Sequence, residues 1–303
     1  MIENTSFSGH DTFPFRYGWL KKGVEAVSNS TDFYSAADEA MVELGVGKNM
    51  VNSIKYWCQV TGLLKSFRNG ENGKIEFEQT DLAEKIITKD LYDPYLEDPA
   101  TLWLIHWQIA SNAEQCTTWY FLFNLLHRME FTKDQLIAEI QKWLEEKGFP
   151  EANQNSLKRD VDVCIRTYVH ARGNRNSAAE DSLDCPLTEI NLLSALEGGK
   201  SYKFVRSERA SLPNEIFLYA LEDFWSRTSD TNSIGLESIT YDPGSPGQIF
   251  KIDQDSIVGR LEKLESLSGG AFRYDETAGL KQIYRKQFTS PLVWLDNYYN
   301  DNK

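Results

Sequence analysis

The segment from Leu44 to Leu64, LGVGKNMVNSIKYWCQVTGLL, decides how we interpret the fold of this 303-residue chain. A short helix at 36–44 is predicted to end at the turn Gly45-Val46-Gly47, and a second helix to open at Lys48. Along this second helix, one set of residues recurs at helical spacing and is expected to face a core, and polar residues fall on the opposite face. The core-facing set is Val51, Ile54, Cys58 and Thr61, and the opposite set is Lys48, Asn49, Asn52, Lys55, Tyr56 and Gln59.

The sequence after Gly62 predicts a β-ribbon, with an extended segment at 63–67, a polar turn at 68–73 and a return strand at 74–77. Helix, glycine turn, helix and ribbon together predict a winged helix-turn-helix unit, whose second helix fits the DNA major groove and whose ribbon touches phosphates. The alternative is a winged helix that serves only to pack against other proteins. The DNA hypothesis assigns contacts to Lys48, Asn49, Asn52, Lys55 and Gln59 on the helix and to Arg68 and Lys74 on the ribbon.

Composition excludes several classes of protein. The net charge of −13 argues against a chain that binds polyanions over its whole surface. No apolar run is long enough for a membrane span, and no signal peptide is visible, so we expect a cytoplasmic protein without membrane contact. The four cysteines lack CxxC spacing and are interpreted as reduced thiols, and neither a zinc site nor a cofactor is expected.

Charge is unevenly distributed along the chain. Residues 1–74 carry 8 Lys/Arg and 8 Asp/Glu, and residues 152–175 carry 5 and 2, whereas the segments 75–151 and 176–303 are acidic. The two least acidic segments are those with helix-turn-helix character. In the second of them, the helix predicted at 157–169 pairs with the one predicted at 133–147, and together they resemble a second helix-turn-helix. In this second segment, Lys158, Arg159 and Arg166, together with Arg172 and Arg175, are either further DNA contacts or a solvated helix end.

The predicted organisation is mainly α and multi-domain, with winged helix-turn-helix units at both ends and a helical middle. Residues 1–90 form the first unit and residues 91–175 a helical domain. A polar linker is predicted at 176–184, before a winged-helix-like domain at 185–303. The exposed helix face of that last unit is acidic, which favours a structural or protein-binding role there.

Four motifs resemble the domain-of-unknown-function family 4007 over nearly the whole chain. They are GHDTFPFRYGWLKK at 9–22, LGVGKNMVNSIKYWC at 44–58, DPYLEDPATLWLIHWQIAS at 93–111 and SPLVWLDNYY at 290–299. Members of that family tend to be encoded in bacterial defence islands beside DNA phosphorothioation genes. The resemblance therefore implies an accessory protein of antiphage DNA modification or restriction, with double-stranded DNA and other defence proteins as partners. It implies no catalytic residues.

His10-Asp11 is the most enzyme-like dipeptide in the sequence, since a His–Asp pair can bind metal or transfer protons. No further metal-ligand spacing accompanies it, so no metal site is expected, and a nuclease built around these two residues is the less favoured alternative. Two other interpretations stay open: the pair pins the N-terminal segment, against Arg16 for example, or His10, Asp11 and Arg16 line a recognition pocket. Because Asn49 follows Lys48, a Walker phosphate loop is absent.

The sequence thus predicts a non-enzymatic DNA-binding accessory of a phage-defence system. This protein is expected to bind and position duplex DNA, either modified or unmodified. A scaffold that joins other proteins of the same system without touching DNA is the alternative.

Overall fold

The computed structural model describes residues 2–70, 73–170 and 185–301. The predicted linker at 176–184 lies outside the described residues, as do Arg172 and Arg175. The chain is mainly helical with small sheets. Its described α-helices are α1 (Trp19–Asn29), α2 (Ala37–Leu44), α3 (Lys48–Val60), α4 (Asp81–Ala83), α5 (Pro99–Ser111), α6 (Thr117–Tyr120), α7 (Lys133–Lys147), α8 (Gln154–Tyr168), α9 (Asn214–Thr228), α10 (Leu236–Tyr241), α11 (Pro246–Ile249), α12 (Gln254–Glu262), α13 (Leu264–Leu267) and α14 (Pro291–Asp301).

Three small antiparallel sheets complete the described architecture. The first is the two-stranded ribbon β1–β2, and the others have the strand orders β3-β5-β4 and β6-β8-β7. The strands are β1 (Leu64–Arg68), β2 (Ile75–Gln79), β3 (Glu130–Thr132), β4 (Leu193–Ala195), β5 (Ser201–Phe204), β6 (Ser233–Gly235), β7 (Phe272–Thr277) and β8 (Leu280–Arg285).

The helix pair α2–α3 forms where the sequence predicts it. Gly45 adopts the left-handed conformation, with φ of 67°, that ends α2, and Gly47 precedes the first residue of α3. The predicted core-facing residues of α3 are all buried. The ribbon β1–β2 follows directly, so the predicted order of helix, glycine turn, helix and ribbon is present.

The strongly apolar segment 119–129 is only partly helical. After α6 the chain makes a π-helical turn at Phe121–Leu125 and becomes extended at Leu126. Buried Asn124 fixes this point: its amide donates to the carbonyls of Ala110 and Tyr120 and accepts from the Gly244 amide. Because the chain leaves the helix here, β3 can reach and pair with β5. This pairing joins the predicted helical middle to the C-terminal unit within one sheet.

The C-terminal helix α14 packs against α9 and also reaches back to the N-terminal part of the chain. Asp296 accepts hydrogen bonds from Lys85 Nζ at 2.6 Å and from the Tyr92 hydroxyl at 3.0 Å. Tyr299 stacks on Tyr92 with ring centroids 4.7 Å apart, and the Tyr298 hydroxyl donates to Asp98. The motif SPLVWLDNYY therefore docks on the motif DPYLEDP, although about two hundred residues separate them in sequence.

Candidate nucleic-acid interface

The polar face of α3 is the first element of the candidate interface. Lys48, Asn52, Lys55 and Gln59 are spaced four, three and four residues apart, which places them in one stripe along the helix. Lys48 is exposed, and Asn52 and Lys55 are half-buried. Gln59 lies in a shallow depression of about 230 Å³, which is also lined by Asp223 of α9. The helix thus offers its N-terminal half to solvent, and in helix-turn-helix proteins these are the residues that meet base edges.

Asn49 is exposed beside this stripe, whereas Tyr56 is not available for DNA contact. The Tyr56 hydroxyl donates to the carbonyl of Gln115 at 3.0 Å and lies 3.1 Å from Cys116 Sγ. Burial raises the pKa of Tyr56 well above its usual range, so the hydroxyl keeps its proton. Tyr56 therefore belongs to the packing side of α3.

The ribbon β1–β2 is the second element. Arg68 is exposed at the end of β1, and its guanidinium donates to the Gly73 carbonyl at 3.3 Å across the turn. Lys74, also exposed, stands at the start of the return strand. Both predicted ribbon cations therefore lie at the tip of the hairpin.

Buried Glu76 fixes the ribbon to the rest of the first unit. Its carboxylate accepts from the Thr31 hydroxyl and from the Asn69 amide, each at 2.7 Å. Glu78, the other acidic residue of β2, lies 3.1 Å from Lys65 Nζ on the opposite strand. Glu76 thus anchors the ribbon to the rest of the first unit, and Glu78 forms an ion pair across the two strands.

His10 lies at the centre of a buried hydrogen-bond network between the N-terminal loop and α8. Its Nδ1 accepts from the Thr12 amide at 3.2 Å, which leaves Nε2–H to donate to Asp160 Oδ1 at 2.7 Å. Asp160 also accepts from the Ser8 amide at 2.7 Å. Both side chains are almost fully buried, at 0% and 2% exposure. The sequence suggested Arg16 as a partner of this segment and did not indicate Asp160.

The loop 8–12 is packed tightly against α3. The His10 ring stacks on Trp57 with an interplanar angle of 20° and meets the edge of Tyr56. A Cβ at Gly9 would lie 2.5 Å from the Tyr56 ring, so only glycine allows this approach. Non-glycine residues of the loop, Ser8, Asp11 and Thr12, have φ of 66°, 45° and 72°. A backbone in this left-handed region persists only where its surroundings hold it.

Of the predicted recognition pocket, Asp11 and Arg16 are half-buried and His10 has no exposed surface. The Arg16 guanidinium lies 5.4 Å from the Trp19 ring centroid and 6.0 Å from that of Phe13. A ligand at this surface would therefore contact Asp11 and Arg16. His10 could affect such a ligand only through the conformation of the loop 8–12, because it has no exposed surface. The pocket itself stays a prediction.

Helix α8 supplies the third element. Lys158, Arg159 and Arg166 are all exposed along it. The Arg166 guanidinium donates to the Thr12 carbonyl at 2.6 Å, so it sits on the rim of the loop 8–12. The structure thus places Arg166 beside the same loop that packs against α3.

The remaining chemical candidates do not converge. Within the described residues, no three His, Cys, Asp or Glu side chains come close enough to hold a metal ion. The four cysteines are buried, and none of them forms a disulfide within the described structure. Glu145 and Glu146 are exposed on α7, and Glu146 Oε1 lies 3.7 Å from Lys142 Nζ. No helix in the described parts is long and apolar enough to cross a membrane.

Fold and site together define a mainly helical protein in which the loop 8–12, with its buried His10, joins the second helix of a glycine-turned pair to the basic helix α8. The chain belongs to the family described as "Protein of unknown function (DUF4007)", which matches residues 7–299. This match confirms the family resemblance of the four motifs.

Two solved structures are similar over almost the whole chain. A crystal structure of SspB has a TM-score of 0.89 and 30% identity, covering 98% of this chain and 89% of that one. A magnesium ion-bound crystal structure of SspB has a TM-score of 0.88 and 29% identity, with the same coverage. No curated protein sequence matches the chain.

Proposed function

We propose that this protein is a DNA-binding accessory of a bacterial phage-defence system that modifies or restricts DNA, and that it acts by binding and positioning. The observation that carries this proposal is the polar stripe of α3, where Lys48 and its neighbour Asn49 are exposed and Asn52 and Lys55 are half-buried, together with the exposed cations Arg68 and Lys74 at the ribbon tip. The first unit would act as a winged helix-turn-helix, with α3 in the major groove. The family's association with phosphorothioation genes makes phosphorothioated duplex one expected target, beside unmodified duplex.

The chemistry of the stripe suits base and phosphate contacts. Asparagine can bond adenine through two hydrogen bonds, and lysine can reach guanine or a phosphate. Arg68 and Lys74 would hold the DNA backbone while α3 reads the groove. The acidic body of the chain, whose net charge is −13, would confine DNA to this face.

Duplex binding across a salt series tests the proposal, with wild type compared with Lys48→Gln/Lys55→Gln. We expect binding that weakens with salt, and a double variant whose log–log slope is shallower by about 1.8, because each lost phosphate contact removes about 0.9. The matched control is Lys263→Gln/Lys286→Gln, which removes the same charge from exposed positions of the C-terminal unit. This control should keep the wild-type slope.

Absence of binding at low salt, to both phosphorothioated and unmodified duplex, would overturn the proposal in favour of a protein scaffold. The exposed acidic face of α12 and α13 would then be the first surface to test for a basic partner. Its residues are Gln254, Asp255, Glu262 and Glu265.

Magnesium-dependent strand cleavage is a second candidate, and one observation favours it: a solved relative of this chain is described as magnesium ion-bound. It predicts that supercoiled plasmid is nicked with Mg²⁺ and not with EDTA. Nicking should also weaken in Lys48→Gln/Lys55→Gln, because that variant holds DNA less well. If the plasmid stays intact under both conditions, the cleavage candidate fails and DNA binding remains the proposed function.

A further inference from the structure

A polar depression of about 230 Å³ lies where the stripe of α3 ends against α5 and α9. Its polar lining comes from α3, from α5 with its C-cap, and from α9: Gln59, Gln108, Ser111, Asn112, Asp223 and Arg227. The depression therefore lies where the first unit, the helical middle and the C-terminal unit meet, and small-molecule sites often form at such junctions.

The depression adjoins the proposed DNA-contact residues because Gln59 belongs to both. Residues of an α-helix advance by 1.5 Å each, so Gln59 lies about 6 Å beyond Lys55 and about 10 Å beyond Asn52 along the axis of α3. Stacked nucleotides are spaced by about 3.4 Å. DNA that contacts Lys55 is therefore within the length of about two stacked nucleotides of the depression.

Several hydrogen-bonding groups at its wall are unused within the described structure. The Gln59 amide makes no hydrogen bond there. Gln108 donates through Nε2, which leaves its Oε1 as an acceptor. Asp223 Oδ2 accepts from Trp107 Nε1 at 2.7 Å and from Arg227 Nη2 at 2.9 Å, which leaves Oδ1 and Nη1. The depression thus offers both donors and acceptors to a ligand.

The charges of the lining fit a neutral ligand better than an anion. Asp223 and Arg227 are the two charged residues among those that line the depression, and they pair with each other at 2.9 Å. A phosphate would meet a carboxylate and a guanidinium that is already paired. A base is neutral, and the residue types present are those that read bases: glutamine pairs with adenine, aspartate accepts from cytosine, and serine contacts either.

A concave site takes a base only after the base has left the stack. In an intact duplex the base edges lie at the floor of a groove about 8.5 Å deep, where protruding side chains read them. A depression accepts instead a group that protrudes from the DNA. Its volume of about 230 Å³ corresponds to about eight water molecules at 30 Å³ each. That is room for one planar base and less than the 300–1,000 Å³ of sites for drug-sized ligands.

We infer that this depression binds one unstacked base of the DNA that α3 holds. The inference rests on the proposed DNA-binding function and deepens it, because it gives the interface a site for a single base. Gln59 and Asp223 Oδ1 hydrogen-bond the edge of that base, and the exposed Arg227 guanidinium is the group that can stack on its face.

Binding to duplexes with and without one mismatched pair tests the inference. Unstacking costs least for a mismatched base, so wild type should bind the mismatched duplex about tenfold more tightly than the matched one. Gln59→Ala removes the amide, and Gln59→Trp fills the depression. Both variants should lose most of this preference and keep the wild-type salt slope, because Lys48 and Lys55 are unchanged. The control Gln141→Ala, at a half-buried glutamine of α7, should behave as wild type.

The outcomes separate the inference from the proposed function. If wild type binds both duplexes equally well, with an affinity that falls with salt, the inference is overturned and the proposed function stands. A preference for the mismatch that both Gln59 variants keep would also overturn it, since the base would then be held elsewhere. If wild type binds neither duplex at low salt, the proposed function fails and the inference fails with it.

Discussion

Asp160→Ala is expected to lower the free energy of unfolding by about 2–5 kcal/mol, the largest effect that we predict for a single substitution in this chain. The carboxylate accepts from the Ser8 amide and the His10 imidazole in a site with almost no solvent. Its removal leaves both donors buried without an acceptor and frees a loop whose backbone is already strained. Chemical denaturation of the two proteins measures the difference.

Two further variants assign this loss to the buried network. Asp160→Asn should cost much less than alanine, because one amide oxygen replaces the shared acceptor. Asp162→Ala, on the same helix, removes a partly exposed carboxylate 2.7 Å from Lys133 and should cost less than about 1 kcal/mol. Equal losses in Asp160→Ala and Asp162→Ala would show that the network contributes no more than a surface ion pair.

The second large effect is a loss of stability in mild acid caused by His106. This histidine is fully buried, and its Nε2 and Nδ1 lie 2.9 Å from the Ile249 carbonyl and 2.8 Å from the Tyr168 hydroxyl. The neutral imidazole satisfies both contacts, with Nε2–H as donor and Nδ1 as acceptor. Burial, with the positive charges of Arg209 and Lys251, lowers the pKa of His106 from 6.5 to about 3.

The sign of the effect follows from this lowered pKa. Between pH 6.5 and about 3 the unfolded chain binds a proton at His106 that the folded chain does not, so acid favours unfolding. The contribution is absent above pH 6.5, grows by about 1.4 kcal/mol per pH unit below it, and reaches about 2 kcal/mol near pH 5. Denaturation at several pH values measures it.

His106→Gln should flatten that dependence by the same amount, whatever it costs in stability at neutral pH. His127→Gln serves as the control, since His127 is exposed. An unchanged pH slope in His106→Gln would contradict a buried neutral imidazole.

Local sequence patterns predicted the local structure well. The spacing of Val51, Ile54 and Cys58 gave the buried face of α3, and glycine at 45 gave the end of α2. Thr132 and Gln135 form the capping box that their spacing predicts at the start of α7. Each of these features depends on residues within one or two helical turns, where periodicity and capping chemistry are informative.

The long-range contacts were not predictable in this way. Asp160 stands 150 residues from His10, and nothing in the spacing of either one indicates the other. The left-handed backbone at Ser8, Asp11 and Thr12 was also missed, because such residues seldom adopt it without support from the fold. A single sequence carries no record of which distant segments meet.

The family motifs acquire a physical meaning from these contacts. The first motif, around His10, packs on the second, around Trp57, and the fourth, which includes Tyr299, packs on the third, which includes Thr101. The motifs that carried the family resemblance are therefore pairs of mutually packed segments. Two cations of the candidate interface, Lys48 and Lys55, lie within the second motif.

The central claim is that the polar stripe of α3 faces DNA, and site-specific photocrosslinking tests it most directly. A photoreactive residue would replace Asn52, in the middle of the stripe, or Glu237, exposed on α10 of the C-terminal unit. Our account predicts a covalent adduct with duplex DNA from position 52 and none from position 237. An adduct from position 237 alone, or none from position 52 while the protein binds duplex, would contradict it.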